Sequence, residues 1–111
     1  MTNLITTIIL TNLLISASGS LRERDWQVAA NDQYFKGRLE VVNFGGRCDI
    51  VTDEYAIEVD PIERADKAVE QANRYASALS LKPAIAVYVP AGPVLTITNA
   101  PCRVFLLRIS P

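Results

Sequence analysis

The sequence contains no histidine in its 111 residues and only two cysteines, Cys48 and Cys102. Without histidine the chain has no histidine-based catalytic triad, no histidine-ligated zinc and no histidine general base. The cysteines form no Cys-x-x-Cys motif, which leaves two alternatives: a disulfide if the protein is exported, or two separate buried thiols. Carboxylate, amide and basic side chains therefore remain for any site chemistry.

The overall charge carries no basic signal for nucleic acid, because 11 basic and 12 acidic residues give a net charge of −1. Every charged residue lies after position 20. Four acidic residues (Glu23, Asp49, Glu58 and Asp60) are candidates for one site, and setting them aside leaves 8 acidic residues against 11 basic ones. A bound divalent metal would offset part of the negative charge of that site. The charge distribution is therefore compatible with a nucleic-acid partner.

The first twenty residues carry no charge, and 4–17 is an apolar stretch that ends in a run of small residues over 16–20. This pattern is typical of a secretory leader with its cleavage site, and it is too short for a comfortable membrane span. We predict a leader or apolar N-terminal segment over 1–19, a single domain over 20–111, and export to a secreted or periplasmic location directed by 1–18. The alternative is a cytoplasmic protein whose N-terminal segment packs on the domain.

The remaining residues predict an α/β domain in the order α-β-β-β-α-β, followed by further strands. Ser20 and Glu23 have the spacing of a capping box for the first helix, and Gly37 is suited to a left-handed cap at its end. The predicted elements are a helix over 20–35, strands over 39–42, 47–52 and 55–60, a helix over 61–80, and strands over 84–89, 94–98 and 103–109.

The two strands around the turn at Asp53-Glu54 form a predicted hairpin that places Asp49 directly opposite Glu58. Alternation assigns Cys48, Ile50, Ile57 and Val59 to a core face and the two carboxylates to the other face. Opposed carboxylates repel each other, and a divalent cation between them would reverse the sign of that interaction. The hairpin thus predicts a site for a hard cation such as Mg²⁺. The alternative is a solvated polar face on an edge hairpin.

Arg64, Lys67, Gln71 and Arg74 recur at spacings of three and four, on one face of the second predicted helix. They begin one turn after the carboxylates, so the hairpin and the helix are expected to share a cleft. A basic stripe beside a metal suits a phosphate backbone. The alternative is ion pairing along the helix, since Glu63–Lys67 and Glu70–Arg74 are favourable pairs.

The block 47–60, together with Gln71 and Tyr75, resembles the core of the PD-(D/E)XK nuclease superfamily, and the resemblance covers roughly 20–90. It implies a restriction-endonuclease-like αβββαβ core, with a central mixed sheet flanked by helices. It also implies Mg²⁺ or Mn²⁺ bound by Asp49, Glu58 and the Val59 carbonyl, with Glu23 as a further acidic ligand. Gln71 and Tyr75 match the Gln-x-x-x-Tyr motif of the RecB-like branch.

The sequence departs from the superfamily at Asp60, which occupies the position of the usual lysine in the third motif. The resemblance implies a metal-dependent DNA nuclease in which Gln71 orients the site. The Asp60 carboxylate would accept a proton from water or bind metal, and the alternative is a tolerated loss of the lysine. Arg64 or Lys67 would supply the missing cation, Arg74 and Tyr75 would contact substrate, and Arg47 is expected to face Asp60. The alternative is a catalytically inactive module that binds nucleic acid or a protein partner.

Overall fold

The computed structural model of the protein describes residues 10–89 and 102–110. Its elements in chain order are β1 (Leu10–Ile15), α1 (Glu23–Ala30), β2 (Arg38–Asn43), β3 (Gly46–Val51), β4 (Tyr55–Pro61), α2 (Ala65–Leu79), β5 (Lys82–Tyr88) and β6 (Arg103–Ile109). The predicted α-β-β-β-α-β order is found from α1 to β5, and β1 precedes it. The strand predicted over 94–98 lies outside the described residues.

The strands form one six-stranded mixed sheet in the order β1-β6-β5-β4-β3-β2. The pairs β2–β3 and β3–β4 are antiparallel, whereas the pairs β4–β5, β5–β6 and β6–β1 are parallel. Parallel neighbours need a crossover connection, and α2 supplies it between β4 and β5. The predicted mixed sheet flanked by helices is therefore confirmed.

The two helices cover opposite faces of the sheet. Trp26 and Ala30 of α1 pack with Ile50 and Ile57, and the Trp26 ring stacks on Tyr88 with centroids 5.0 Å apart. On the other face, alanines of α2 pack against apolar side chains of β5 and β6: Ala65, Ala68 and Ala72 against Ile85, Val87, Val104 and Leu106. Both faces of β5 are thus buried, as its continuous apolar sequence requires.

The first helix is capped differently from the prediction. Its N-cap is Arg22, whose backbone N–H donates to Asp25 Oδ2 at 2.9 Å, and the predicted Ser20–Glu23 capping box is wrong. Because Asp25 takes this role, the Glu23 side chain is free to face the site described below. A π-helical turn extends the helix to Phe35, as far as predicted.

The left-handed residue after this turn is Lys36 (φ 55°), not Gly37 as predicted. Gly37 is needed for a different reason: a Cβ there would lie 2.4 Å from the Val51 carbonyl oxygen. The second helix begins later than predicted, since a 3₁₀ turn (Ile62–Arg64) precedes α2, and it ends as predicted, at left-handed Ser80 (φ 57°). Strand β5 begins at Lys82, two residues before the strand predicted over 84–89.

The N-terminal apolar segment contributes a strand to the sheet over its described part. Strand β1 pairs in parallel with β6, and Ile15 is fully buried among the core residues on the α1 face. This arrangement corresponds to the alternative in which the segment packs on the domain, while the leader over 1–19 stays a prediction. Within the described ranges, no helix is both long and apolar enough to cross a membrane.

The burial of Ile15 predicts that this segment stabilises the fold. Ile15→Ala should lower the free energy of unfolding by about 2–5 kcal/mol, because it leaves a cavity in the core. Leu14→Ala is the matched control, since Leu14 is 48% exposed and its truncation should have a small effect. Urea denaturation of both variants measures the difference. Equal stability of the wild type and the Ile15 variant would contradict the packing of β1.

Candidate metal centre

The register of the β3–β4 hairpin agrees with the prediction. Ile50 pairs with Ile57 and Val51 with Ala56, so the next opposed positions are Asp49 and Glu58. There each carboxylate accepts a hydrogen bond from the main chain of the opposite strand. The Val59 N–H donates to Asp49 Oδ2 at 2.9 Å, and the Asp49 N–H donates to Glu58 Oε2 at 3.4 Å. Here side-chain carboxylates, and not main-chain carbonyls, accept the hydrogen bonds between β3 and β4. This keeps both carboxylates between the two strands.

The backbone of Asp49 is held by a residue that the sequence did not indicate. The β2–β3 register passes from Leu39–Ile50 to Val41–Cys48 and skips Glu40, which has a left-handed φ of 55°. The side-chain amide of Gln27, buried in α1, donates to the Asp49 carbonyl at 2.9 Å. A local distortion of this kind re-aims a side chain and is common beside functional sites. Gln27 therefore positions Asp49.

The same distortion changes the face on which Cys48 lies. Cys48 packs with Val51, Ala56 and Tyr75 on the α2 side, whereas Ile50 and Ile57 lie on the α1 side. The prediction that Cys48 shares a face with Ile50 is therefore wrong, because strict alternation is interrupted at Asp49. The Cys48 side chain is nevertheless buried, as predicted.

Both cysteines are free thiols in the structure, and they pack in different clusters. Burial raises the pKa of Cys48 to about 12, and the Glu58 charge adds to this effect. Burial alone raises the pKa of Cys102 to about 11. Neither thiol is therefore ionised to a useful extent near neutral pH, which argues against a nucleophilic role.

An open cavity of about 490 Å³ lies between the hairpin, the N-terminal part of α1 and the first half of α2. Nine of its lining residues were predicted from the sequence: Glu23, Asp49, Glu58, Val59, Asp60, Arg64, Lys67, Gln71 and Tyr75. Four others are brought in by α1, β2 and β3, namely Arg24, Gln27, Glu40 and Arg47. The structure thus places the acidic hairpin and the basic helix face around one cavity.

Arg74 departs from its predicted position, whereas Tyr75 lines the cavity as predicted. Arg74 is exposed and does not line the cavity, and its guanidinium lies 5.3 Å from the centroid of the Tyr75 ring. Tyr75 lines the cavity but is only 6% exposed, so it packs under the hairpin more than it presents a free ring. Arg74 lies instead against the turn between β2 and β3, where its Cγ would be 3.2 Å from a Cβ at Gly45.

The carboxylates of the cavity interact unfavourably when all are ionised. Burial raises the pKa of Glu58, which is 3% exposed, and a hydrogen bond and the charge of Asp49 raise it further. Burial and the neighbouring Glu23 raise the pKa of Asp60 to about 7, with Arg64 acting in the opposite direction. The metal-free protein therefore holds extra protons at this site near neutral pH.

Arg47 does not face Asp60 as predicted. Its Nε lies 3.1 Å from Glu40 Oε2, and Arg24 Nη1 lies 2.7 Å from Glu40 Oε1. The left-handed backbone at Glu40 turns the Glu40 carboxylate toward both arginines. Arg47 is therefore held in an ion pair with Glu40. The cation that acts on Asp60 is instead Arg64, one of the two predicted from α2.

The chemistry of the donor set fits a hard divalent cation. Asp49 and Glu58 each use one oxygen for a main-chain hydrogen bond, and carboxylate oxygens and carbonyls are the ligands that Mg²⁺ prefers. Among residues 10–89 and 102–110, no three Asp, Glu or Cys side chains are grouped to hold a metal ion unaided. Mg²⁺ usually keeps several waters and binds one or two carboxylates, so Asp49, Glu58 and the Val59 carbonyl would form a sufficient set.

Comparison with protein-family models, with curated proteins and with solved structures found no match. What the chain does is therefore inferred from its own residues and from the geometry of this cavity.

The raised pKa of Glu58 predicts that the metal-free protein loses stability as the pH rises. The native state binds more protons than the unfolded chain above the ordinary glutamate value of 4.5. The free energy of unfolding should therefore fall with increasing pH, by up to about 1.4 kcal/mol per pH unit for each such group. Urea denaturation in EDTA from about pH 5 to about pH 7 measures this slope.

Glu58→Gln should flatten the slope, because the amide does not titrate. Asp53→Asn is the matched control, since Asp53 is an exposed acid in the turn of the same hairpin. An unchanged slope in the Glu58 variant would contradict the assignment of the raised pKa to this carboxyl group.

Proposed function

We propose that the protein is a metal-dependent nuclease with a restriction-endonuclease-like core, which hydrolyses DNA phosphodiester bonds with Mg²⁺ or Mn²⁺. The observation that carries the proposal is the pair of main-chain-held carboxylates, Asp49 and Glu58, in a cavity whose other wall bears Arg64 and Lys67. The resemblance of 47–60 and of Gln71 and Tyr75 to the PD-(D/E)XK motifs supports the same activity.

The opposed carboxylates favour a cation-binding role over a purely structural one. Two like charges opposed in a β-ladder destabilise it, and burial increases the penalty by removing solvent screening. A metal ion bound by Asp49, Glu58 and the Val59 carbonyl would convert this repulsion into attraction. Glu23 lines the same cavity and would bind the ion directly or through water.

The basic side chains of α2 would hold the DNA backbone. Arg64 and Lys67 are exposed and line the cavity, so they can pair with phosphates on either side of the scissile bond. Gln71 lines the cavity one turn further along the helix and would orient the bound groups through its amide. Arg74 lies outside the cavity, where it would contact a more distant phosphate.

In phosphodiester hydrolysis a bound divalent ion lowers the pKa of water and stabilises the charge on the phosphoryl oxygens. Asp60 would accept the proton of the attacking water, because its pKa of about 7 allows it to exchange a proton near neutral pH. Arg64 lowers the pKa of Asp60 and so keeps part of this carboxyl group ionised. Glu23 lines the same cavity, raises the pKa of Asp60 and would share a proton with it.

The second candidate function is a nuclease-like module that binds nucleic acid or a protein partner without cleavage. Asp60 in place of the motif lysine favours it. So does the finding that the described residues contain no three-ligand group of Asp, Glu or Cys side chains. Binding of DNA without metal-stimulated cleavage would distinguish this module from the enzyme.

Metal-dependent cleavage is the direct test of the proposed function. Plasmid and single-stranded DNA should be cut with Mg²⁺ or Mn²⁺ but not with EDTA, and either ion should raise the melting temperature of the wild type. Asp49→Asn should reduce cleavage by about 100-fold or more and weaken the thermal response. The control Asp53→Asn should behave like the wild type. No cleavage and no thermal response in the wild type would reject the metal centre.

Variants of Asp60 distinguish its possible roles. If it accepts the proton or binds metal, Asp60→Asn should abolish cleavage as fully as Glu58→Gln, since neither amide can act as a base or an anionic ligand. If Asp60 is only a tolerated replacement for lysine, Asp60→Lys should maintain or increase cleavage. Cleavage rates of both variants with Mg²⁺ decide between these outcomes.

A further inference from the structure

The turn between β2 and β3 carries a phenylalanine that is fully exposed to solvent. The relative exposure of Phe44 is 103%, and that of Val42 on the adjoining strand is 80%. A side chain of this size would stabilise the protein if it were buried, and this turn leaves it in solvent. An exposed ring is therefore available to a ligand, and its surroundings indicate which kind.

The turn is anchored beside the candidate metal centre. The Gly45 N–H donates to Asn43 Oδ1 at 2.8 Å, which stiffens the turn. A Cβ at Gly45 would lie 3.1 Å from the Tyr75 ring and 3.2 Å from Arg74 Cγ, and one at Gly46 would lie 3.2 Å from the Tyr75 hydroxyl. Both glycines therefore allow the turn to rest on α2. Because Tyr75 lines the cavity, the turn that carries Phe44 rests on a residue of the cavity wall.

Cationic side chains flank the turn on both elements that support it. Arg47 follows it on β3, lines the cavity and is held by Glu40 at 3.1 Å. Arg74 lies on α2 against the turn, with its guanidinium over the Tyr75 ring. A free aromatic face accompanied by guanidinium groups matches the two parts of a nucleotide, since bases stack on aromatic rings and phosphates pair with arginine.

We propose that Phe44 is a stacking site for an unpaired nucleobase of the strand that enters the cavity, with Arg47 and Arg74 contacting the adjoining phosphates. The inference rests on the proposed function for the identity of the substrate as DNA, and it specifies the substrate class further. A base within a duplex has both faces covered by its neighbours, so the exposed ring selects single strands, frayed ends or flaps over intact duplex.

Binding in EDTA tests this selection without cleavage. The probes are a fluorescent single-stranded thymidine oligomer, an abasic strand of the same length and a blunt hairpin duplex, measured by anisotropy. Phe44→Ala should weaken binding of the thymidine oligomer by about tenfold, the typical contribution of one stacked base. Phe44→Trp should retain it, and binding of the abasic strand and the duplex should not change.

Val42→Ala is the matched control, because it removes an exposed apolar side chain without an aromatic face. It should bind all three probes like the wild type. The exposure of Phe44 means that its truncation should leave the melting temperature unchanged, so a folding defect would be recognised directly. Equal binding of the thymidine oligomer by the wild type and Phe44→Ala would overturn the inference. So would an equal loss for the abasic strand, or the absence of single-strand binding by the wild type.

The experiments can reject the stacking site and the nuclease function independently of each other. If the wild type cleaves with Mg²⁺ and Phe44→Ala binds like it, the nuclease stands and the stacking site is rejected. If the wild type does not cleave but Phe44→Ala loses the base-dependent part of binding, the stacking site stands within a binding module.

Discussion

The opposition of two carboxylates across one antiparallel strand pair is the constraint on which the site depends. Asp49 and Glu58 face each other where β3 and β4 separate, and each is held by a main-chain N–H of the other strand. A sheet selected for stability alone would avoid this pairing, because like charges are destabilising both across a ladder and in a buried position. The elements around the hairpin therefore serve to hold these two carboxylates in place.

The regular pairing of β2 with β3 is interrupted, and this interruption orients Asp49. Strand β2 takes a left-handed residue at Glu40, and the carbonyl of Asp49 accepts its hydrogen bond from Gln27 instead. This exchange gives the half-buried Asp49 carbonyl a hydrogen-bond donor. It also turns Glu40 toward Arg24 and Arg47, so that one distortion shapes both the acidic centre and a basic part of the cavity wall.

The small residues of α2 determine where the opposite, basic wall of the cavity lies. Ala65, Ala68, Ala72 and Ala76 face the sheet, and short side chains allow a helix to pack closely against its neighbour. Close packing brings Arg64 and Lys67 to the same cavity as the carboxylates. Replacing these alanines by larger residues would push the helix outward and separate its basic face from the hairpin.

The sequence by itself determined the local part of this arrangement. Alternation around the Asp53-Glu54 turn placed Asp49 opposite Glu58, and helical spacing placed Arg64, Lys67 and Gln71 on one face, because both patterns are set by the backbone repeat of a single element. Only the tertiary structure decided which residues approach from elsewhere.

The contact of Gln27 with Asp49 spans 22 residues, and the pairing of β1 with β6 joins opposite ends of the chain. No local period encodes such contacts. Long-range packing also placed Cys48 on the α2 side of the sheet. The distortion that interrupts alternation along β3 is stabilised there by α2, a helix from another part of the chain. Neighbours along one element follow from its period, whereas neighbours between elements follow from the way the whole core packs.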